Sequence, residues 1–349
     1  MIREVEIGSV ILGAENPVAI QSMTNTKTTD VEATVLQIEA LRLAGCDLVR
    51  IAVPDLDSAR ALGEITRRSL IPVIADIHFD HRLAIESIRY GASKIRINPG
   101  NIGNDNKVEE IVKAAKERSV AIRVGSNSGS IKPGYLDNYD RATALAESVL
   151  EEVRLLERLG FEQIVVSAKS SSVLENHACN RYIRQKVDYP IHLGITEAGI
   201  GTAAIVKSSA GIGALLLEGI GETIRVSITG DPLQEVRIAK LLLIATGRLF
   251  GPELISCPTC GRTEIDVEAL AGSVKEWLDK DFPSTQISVA VMGCAVNGVG
   301  EGKHANIGIA GTRKGAVIFI KGKIVETVER SRIRERFREI LKNIAGGSA

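Results

Sequence analysis

The sequence predicts a two-domain α/β protein, with a closed (β/α)8 barrel over residues 1–252 and a smaller α+β domain over residues 253–349. Two observations carry this expectation. Eight short β-branched runs, each ending in turn residues and followed by helical periodicity, occupy the first part of the chain, and eight strand–helix units in roughly 250 residues is the arithmetic of a closed barrel. The texture then changes near Leu254, where CPTCGR opens a stretch of mixed helix and strand. An open doubly wound sheet is the structural alternative, and it is weakened because no GxGxxG follows the first strand.

In order, the expected barrel strands are Val18 to Ser22, Leu48 to Val53, Val73 to Ile77, Lys94 to Asn98, Ala121 to Gly125, Gln163 to Ser167, Ile191 to Ile195 and Thr223 to Ile228. Parallel strands covered by helices on their outer face read as continuous apolar runs, as these do. Helical stretches such as VEATVLQIEALRLAG and PLQEVRIAKLLLIATG lie between them, several opening on Asp or Asn and closing on Gly, the usual start and stop signals. Beyond a boundary near Phe250 to Pro252, the sequence predicts a helix from Asp266 to Leu278 and strands at Ile287 to Met292, Ile307 to Ala310 and Val317 to Ile320. A basic amphipathic helix, ERSRIRERFREILKNI, follows, and GCAVNGVGEG reads as a flexible glycine-rich loop.

Composition narrows the function. The 43 Lys and Arg balance the 43 Asp and Glu among 349 residues, so no overall field draws the chain to nucleic acid or anionic lipid, and any basic site is local. Aromatic residues are only 3%, which leaves few of the stacking platforms that single-stranded nucleic acids use. The N-terminal MIREVEIGSV carries charge within its apolar pattern and no long apolar run follows, so neither a signal peptide nor a membrane span is expected and the cytoplasm is the expected compartment. Five cysteines, two of them in a CxxC, are too few and too unevenly placed for a secreted disulfide framework, which leaves metal or redox chemistry.

Active sites of α/β barrels lie where strands end, so the residues at those ends report on the ligand. Here they are Arg50, Asp76, His78, Arg96, Asn98, Arg123, Asn127, Lys169, Glu197, Arg225 and Ser227. A single arginine at such a place is more often an ion-pair partner. Several inward cations together cost several kcal/mol unless something pairs them, and the economical partner is a phosphate or diphosphate. The second constellation is Cys257-Pro-Thr-Cys260, Cys294 and Glu301. Three cysteines without a second CxxC or a His pair favour an iron–sulfur cluster with one weak or open position, leaving a zinc site, a dithiol pair or structural cysteines as alternatives. Glu301 is the nearest oxygen ligand in sequence. Cys46 and Cys179, flanked by apolar helical residues, read as buried small hydrophobes.

The segments QSMTNTKTTD, ADIHF, KIRINPGNIG, IRVGSNSGS, HLGITEAG, GIGETIRVSITGDP, CPTCGR and GCAVNGVGE, in this order, resemble the bacterial 4-hydroxy-3-methylbut-2-enyl diphosphate synthases of the methylerythritol phosphate route to isoprenoids. The resemblance runs almost end to end. It implies a (β/α)8 barrel and then a ferredoxin-like iron–sulfur domain related to sulfite reductase, without the extra middle domain of plant-type members. It implies a 4Fe-4S cluster on Cys257, Cys260 and Cys294 with Glu301 on the fourth iron. The implied substrate is the cyclic diphosphate of methylerythritol, held by Arg50, His78, Arg96, Asn98, Arg123, Asn127, Lys169, Arg225 and Ser227. Glu197 would move a proton, and Glu301 and His78 complete the implied catalytic set. The implied reaction is a reductive ring opening and dehydroxylation that takes two electrons from a ferredoxin or flavodoxin. A homodimer with composite sites is implied as well. Some positions depart from the commonest pattern, VSAKSSS standing where SLKAS is usual and GSNSGS where GVNAGS is, but Lys169 and Asn127 are kept. A zinc-stapled phosphate binder and a barrel aldolase with Lys169 as a Schiff base are the competing readings.

Overall fold

The eight apolar runs form eight parallel strands in a computed structural model that describes residues 1–98, 102, 105–132 and 134–346, the side chains of residues 296 and 297 excepted. The chain divides into two units, Met1–Leu249 and Phe250–Ala349. In the first, a hairpin of β1 (Val5–Ile7) and β2 (Val10–Leu12) precedes the barrel strands β3 (Ala19–Met23), β4 (Leu48–Ala52), β5 (Val73–Asp76), β6 (Lys94–Ile97), β7 (Ala121–Asn127), β8 (Ile164–Lys169), β9 (His192–Leu193) and β10 (Thr223–Ile224). They are hydrogen-bonded in the order β8-β7-β6-β5-β4-β3-β10-β9, and a parallel bridge from Val166 to Ile191 closes the ring.

Alternation decides what faces where. The outward residues of the strands, among them Val49, Ile51, Ala75, Ile95, Ile122, Val124 and Val166, pack with Ile38, Leu41, Leu62, Ile65, Val149 and Val153 of the surrounding helices. Asp30, Asp55, Asp80, Asp140, Ser172 and Asp231 each accept a backbone N–H at a helix start, which satisfies donors that the first turn leaves free. The hairpin was not legible as strands, since its Glu6 and its two short arms break the apolar pattern. Val5, Ile7 and Leu12 pack against Ala19, Leu48, Ile74, Ala121 and Val165 from the starts of the barrel strands. The hairpin therefore seals the N-terminal end of the barrel and leaves the C-terminal mouth as its open end.

The second unit carries the mixed sheet β11 (Glu253–Ser256), β12 (Ser288–Met292), β13 (Ile307–Thr312), β14 (Gly315–Ile320) and β15 (Lys323–Glu329), paired in that order. The first two pairings are parallel and the last two antiparallel. Helices Val267–Asp281 and Ile333–Gly346 cover one face, with Val274, Trp277, Phe337 and Leu341 packed on Val289, Ile307, Ile309 and Ile318. The terminal helix starts at Ile333, after a 3-10 turn over Arg330–Arg332. The loop expected in GCAVNGVGEG is instead a short helix, Ala295–Glu301. Its glycines serve close packing: a Cβ at Gly298 would stand 2.6 Å from Met292 Cβ, and one at Gly302 would stand 2.7 Å from the Phe319 ring. No helix among the described residues is long and apolar enough to cross a membrane.

Candidate active site at the barrel mouth

The strand ends converge on a cavity of about 390 Å³. Its lining includes Arg50, Asp76, His78, Arg96, Arg123, Asn127, Lys169, Glu197, Arg225 and Ser227, joined by Ser167, Thr196, Gly199, Thr229 and Glu235. Every barrel residue singled out from the sequence is therefore at this mouth except Asn98. Asn98 is buried just beyond β6 but does not line the cavity. Of the KIRINPGNIG motif, Pro99, Gly100, Asn101 and Gly103 lie outside the described residues.

Five basic side chains line the cavity, Arg50, Arg96, Arg123, Arg225 and Lys169, against three carboxylates, Asp76, Glu197 and Glu235. Two of those carboxylates are committed to arginines. Asp76 Oδ2 is 3.9 Å from Arg50 Nε and 3.4 Å from His78 Nε2, while Oδ1 is 3.6 Å from Arg96 Nη1. His78 Nδ1 in turn lies 3.3 Å from Arg96 Nη1. Burial alone would raise the Asp76 pKa, but the Arg50 charge, the His78 hydrogen bond and the Arg96 charge outweigh it and hold this carboxyl well below the usual range. Glu235, missed in the sequence because it sits inside an ordinary helical period, pairs with Arg225 at 3.3 Å and accepts the Ile228 N–H at 3.0 Å.

Arg123 and Lys169 have no carboxylate at salt-bridge distance among the described residues. Arg123 is 2% exposed, and its Nε and Nη1 have no partner among the described residues. Burial and then the charges of Arg50 and Arg96 push its guanidinium down; burial and then Arg123 do the same to Lys169. Arg50 is pushed down to about 10 by burial, with Arg225 and Arg96 adding to the effect. Such crowding is unfavourable in isolation and favourable around a multiply charged anion. Gly194 makes room for this arrangement: a Cβ there would stand 2.8 Å from Lys169 Nζ and from the Arg225 carbonyl oxygen.

Two further features mark the mouth. Glu197 is exposed and holds a φ of +52°, a left-handed conformation that costs a non-glycine residue energy and is concentrated at functional sites. Exposed apolar side chains sit in the loops and helix starts that follow the strands, namely Phe79 beside His78, Ile200 beside Gly199, and Leu56 and Leu174 at the first turns of their helices.

In the second unit the cysteines follow adjacent parallel strands. Cys257 comes directly after β11, and Cys294 comes two residues after β12. The Gly293 N–H donates to Cys257 Sγ at 3.1 Å, and Cys260 N–H donates to Thr263 Oγ1 at 3.1 Å. Cys260 is exposed, and its thiol is shifted down by the Arg262 N–H and then by the Arg262 side chain. Glu301 ends the helix that begins after Cys294. Among the described residues, no group of three or more His, Cys, Asp or Glu side chains stands at metal-holding distances. The chemistry of the donor set nonetheless fits a thiophilic iron centre: three thiols on loops that follow neighbouring strands, one accepting a backbone N–H and one with lowered pKa. Cys46 and Cys179 are buried, and burial raises their thiols.

Comparison with known proteins gives the same two-part layout. Residues 2–240 match the GcpE TIM-barrel domain and residues 253–343 the GcpE protein C-terminal domain. The chain is 54% identical over 346 residues to a 4-hydroxy-3-methylbut-2-en-1-yl diphosphate synthase (flavodoxin) of Thermotoga maritima, covering 99% of this chain and 98% of the relative. It is 51% identical to the one so named in Clostridium acetobutylicum, over 97% of each chain. Among solved structures, the dihydropteroate synthase of Yersinia pestis aligns with a TM-score of 0.52 at 11% identity, over 71% of this chain and 98% of its own, a likeness of fold alone.

Proposed function

This chain belongs to the GcpE family, and we propose from that premise that the cationic barrel mouth binds 2-C-methyl-D-erythritol 2,4-cyclodiphosphate for reduction. The activity itself is that of the curated relatives, an oxidoreductase forming 4-hydroxy-3-methylbut-2-en-1-yl diphosphate for isoprenoid precursors. The observation that carries the site assignment is the surplus of cations on one cavity, with Arg123 buried and two of its nitrogens without a partner among the described residues.

Arg50, Arg96, Arg123, Lys169 and Arg225 hold the diphosphate in this reading, and its charge restores to them the pairing that burial removes. Asp76 and Glu235 orient Arg50, Arg96 and Arg225 for that task. His78, Asn98, Asn127 and Ser227 supply further hydrogen bonds in this reading, Asn98 from its buried position beside the mouth. Opening the ring breaks a carbon–oxygen bond to phosphate, and expelling the hydroxyl as water consumes two electrons and a proton at the departing oxygen. Glu197, open to solvent on the cavity wall, hands on that proton in this reading.

The family is one of iron–sulfur enzymes, and Cys257, Cys260, Cys294 and Glu301 are the residues that would hold a 4Fe-4S cluster in the domain of residues 253–349. When bound, such a cluster supplies electrons one at a time and a Lewis-acidic iron. The relatives are named for flavodoxin, which supports a flavodoxin-type donor, with ferredoxin as its equivalent. The exposed apolar residues around the mouth support a homodimer in which the cluster-bearing domain of one subunit serves the barrel of the other. The absence of any membrane-length apolar helix among the described residues is compatible with a cytoplasmic enzyme.

Oxygen-free purification, followed by assay of iron, acid-labile sulfide and turnover of the cyclic diphosphate with reduced flavodoxin, tests this reading. The expected result is a brown protein that forms the diphosphate product. Stoichiometric zinc without sulfide, or borohydride-trapped substrate on Lys169, would overturn it in favour of the phosphate binder or the aldolase.

A further inference from the structure

Beneath the mouth, the barrel interior holds polar side chains that the reaction does not use. Strands of such a barrel tilt by about 36°, so register partners differ in height and interior residues from alternate strands form layers of four. Following the pairing from β3 to β10, Arg50, Arg96, Ser167 and Arg225 form the layer that faces the mouth. Gln21, Ile74, Arg123 and His192 form the layer below it, and Leu48, Lys94, Val165 and Thr223 the next. The hairpin plug closes the barrel under these.

Those two lower layers contain an unusual concentration of orphaned polar atoms. Lys94 is 0% exposed and its Nζ has no protein partner among the described residues. The same holds for both side-chain polar atoms of Gln21, for Arg123 Nε and Nη1, and for His192 Nε2. His192 spends its other nitrogen on Thr223 Oγ1 at 3.4 Å. Neither layer contains a carboxylate, and Asp76, nearer the mouth, is within salt-bridge distance of Arg50 and Arg96. Water satisfies buried donors but leaves Lys94, and Arg123 whenever the mouth is empty, without a counter-charge.

We propose that these layers form a second anion site, distinct from the diphosphate site above, that holds a small monovalent inorganic anion such as chloride among Lys94, Arg123, His192 and Gln21. Such an ion provides the counter-charge that the fold omits and accepts several orphaned N–H groups at once. It also opposes the effect of burial and of Arg123, which push the Lys94 ammonium down. Arg123, shared between the layer and the cavity lining, connects the two sites, so the lower ion would hold the guanidinium in place for the substrate.

Anomalous diffraction from full-length protein crystals grown in bromide tests it directly, with and without inorganic pyrophosphate as the probe for the mouth. The expected result is one bromide within hydrogen-bonding distance of Lys94 Nζ and Arg123, retained when pyrophosphate occupies the mouth. The melting temperature should rise when chloride replaces gluconate at constant ionic strength, and Lys94→Met should lose that dependence. Water density without an anomalous signal overturns the proposal, as does a bromide that pyrophosphate displaces or a chloride effect that Lys94→Met retains. Should Lys94→Met fail to fold, the wild-type bromide map decides alone.

Discussion

Glu235 locks Arg225 at the barrel mouth: its Oε2 lies 3.3 Å from the arginine Nε, and its Oε1 accepts the N–H of Ile228. One carboxylate from the helix after β10 thus fixes both a cation and the loop that presents Ser227. Removing one partner of a buried ion pair leaves the other uncompensated, at a cost of about 3 kcal/mol. Glu235→Ala should therefore lose about that much stability in denaturant titration and raise KM for the cyclic diphosphate. Glu235→Gln, which keeps the shape, should lose less of both. Unchanged KM in Glu235→Ala would separate Arg225 from the substrate.

Asp76 makes the mouth sensitive to acid. Its folded-state pKa is depressed below the unfolded value, so its ionised form stabilises the fold above the ordinary carboxylate range near pH 4, and this contribution is lost as pH falls through the depressed value. Asp76→Asn should be less stable than wild type at neutral pH, and the gap should narrow progressively below about pH 4. Melting curves across that range check the sign. A gap that widens toward acid would contradict the Arg50 and Arg96 pairing.

Stability and binding should move in opposite directions at Arg123 and Lys169. Each is a buried cation without a carboxylate partner among the described residues, so replacing it with an apolar side chain of similar volume should raise stability by about 1 kcal/mol or more in chloride-free buffer. The same change removes a charge-assisted contact worth roughly 1.5 to 3 kcal/mol, or about ten- to a hundredfold in substrate affinity. Arg123→Met and Lys169→Met, compared by melting and by calorimetric titration, test both halves. A destabilised variant with unchanged affinity would mean that these cations serve the fold.

How much of this was legible beforehand follows from burial. The eight barrel strands could be read because helices cover their outer faces and the runs are continuously apolar. Two of them are shorter than expected by three residues or more, β9 spanning His192–Leu193 and β10 Thr223–Ile224, because the chain beyond them lines the mouth with Thr196, Glu197, Ser227 and Thr229. Strand β15, KIVETVE, was missed because it is an edge strand with mostly exposed residues, which reads as polar loop. β11 escaped because its ELIS is half covered. The site cations were visible as charges at strand ends. Glu235 was not, since a helical acid near an apolar stripe looks like a solvated one until the fold turns it inward. In Ala295–Glu301, glycine content suggested loop freedom where it in fact allows the helix to approach Met292 and Phe319.

The proposed cluster ligands should separate by function. Cys257→Ser, Cys260→Ser and Cys294→Ser each remove an anchoring thiolate and should lose iron and sulfide or hold them poorly. Glu301→Ala should keep most iron and lose most turnover, because three thiolates still anchor the remaining irons. Iron and sulfide assays beside turnover distinguish the two classes. Complete iron loss in Glu301→Ala would make that residue structural, and full activity in any serine variant would remove that cysteine from the set.

The proposed homodimer makes one prediction that no single-chain site shares. A Lys169→Met subunit has a damaged barrel and an intact cysteine set, and a Cys294→Ser subunit has the reverse. If each site draws its barrel from one subunit and its cluster from the other, a mixed dimer contains one site with both halves intact and one with neither. Mixing the two inactive proteins under conditions that let subunits exchange should then restore activity, up to about one quarter of the wild-type level at equal amounts, because about half of the dimers are mixed and half of their sites are whole. Native mass spectrometry gives the fraction of mixed dimers against which the recovered rate is scaled. Exchange without recovery would show that barrel and cluster must belong to the same chain, and a rate proportional to the mixed fraction would show that they must not.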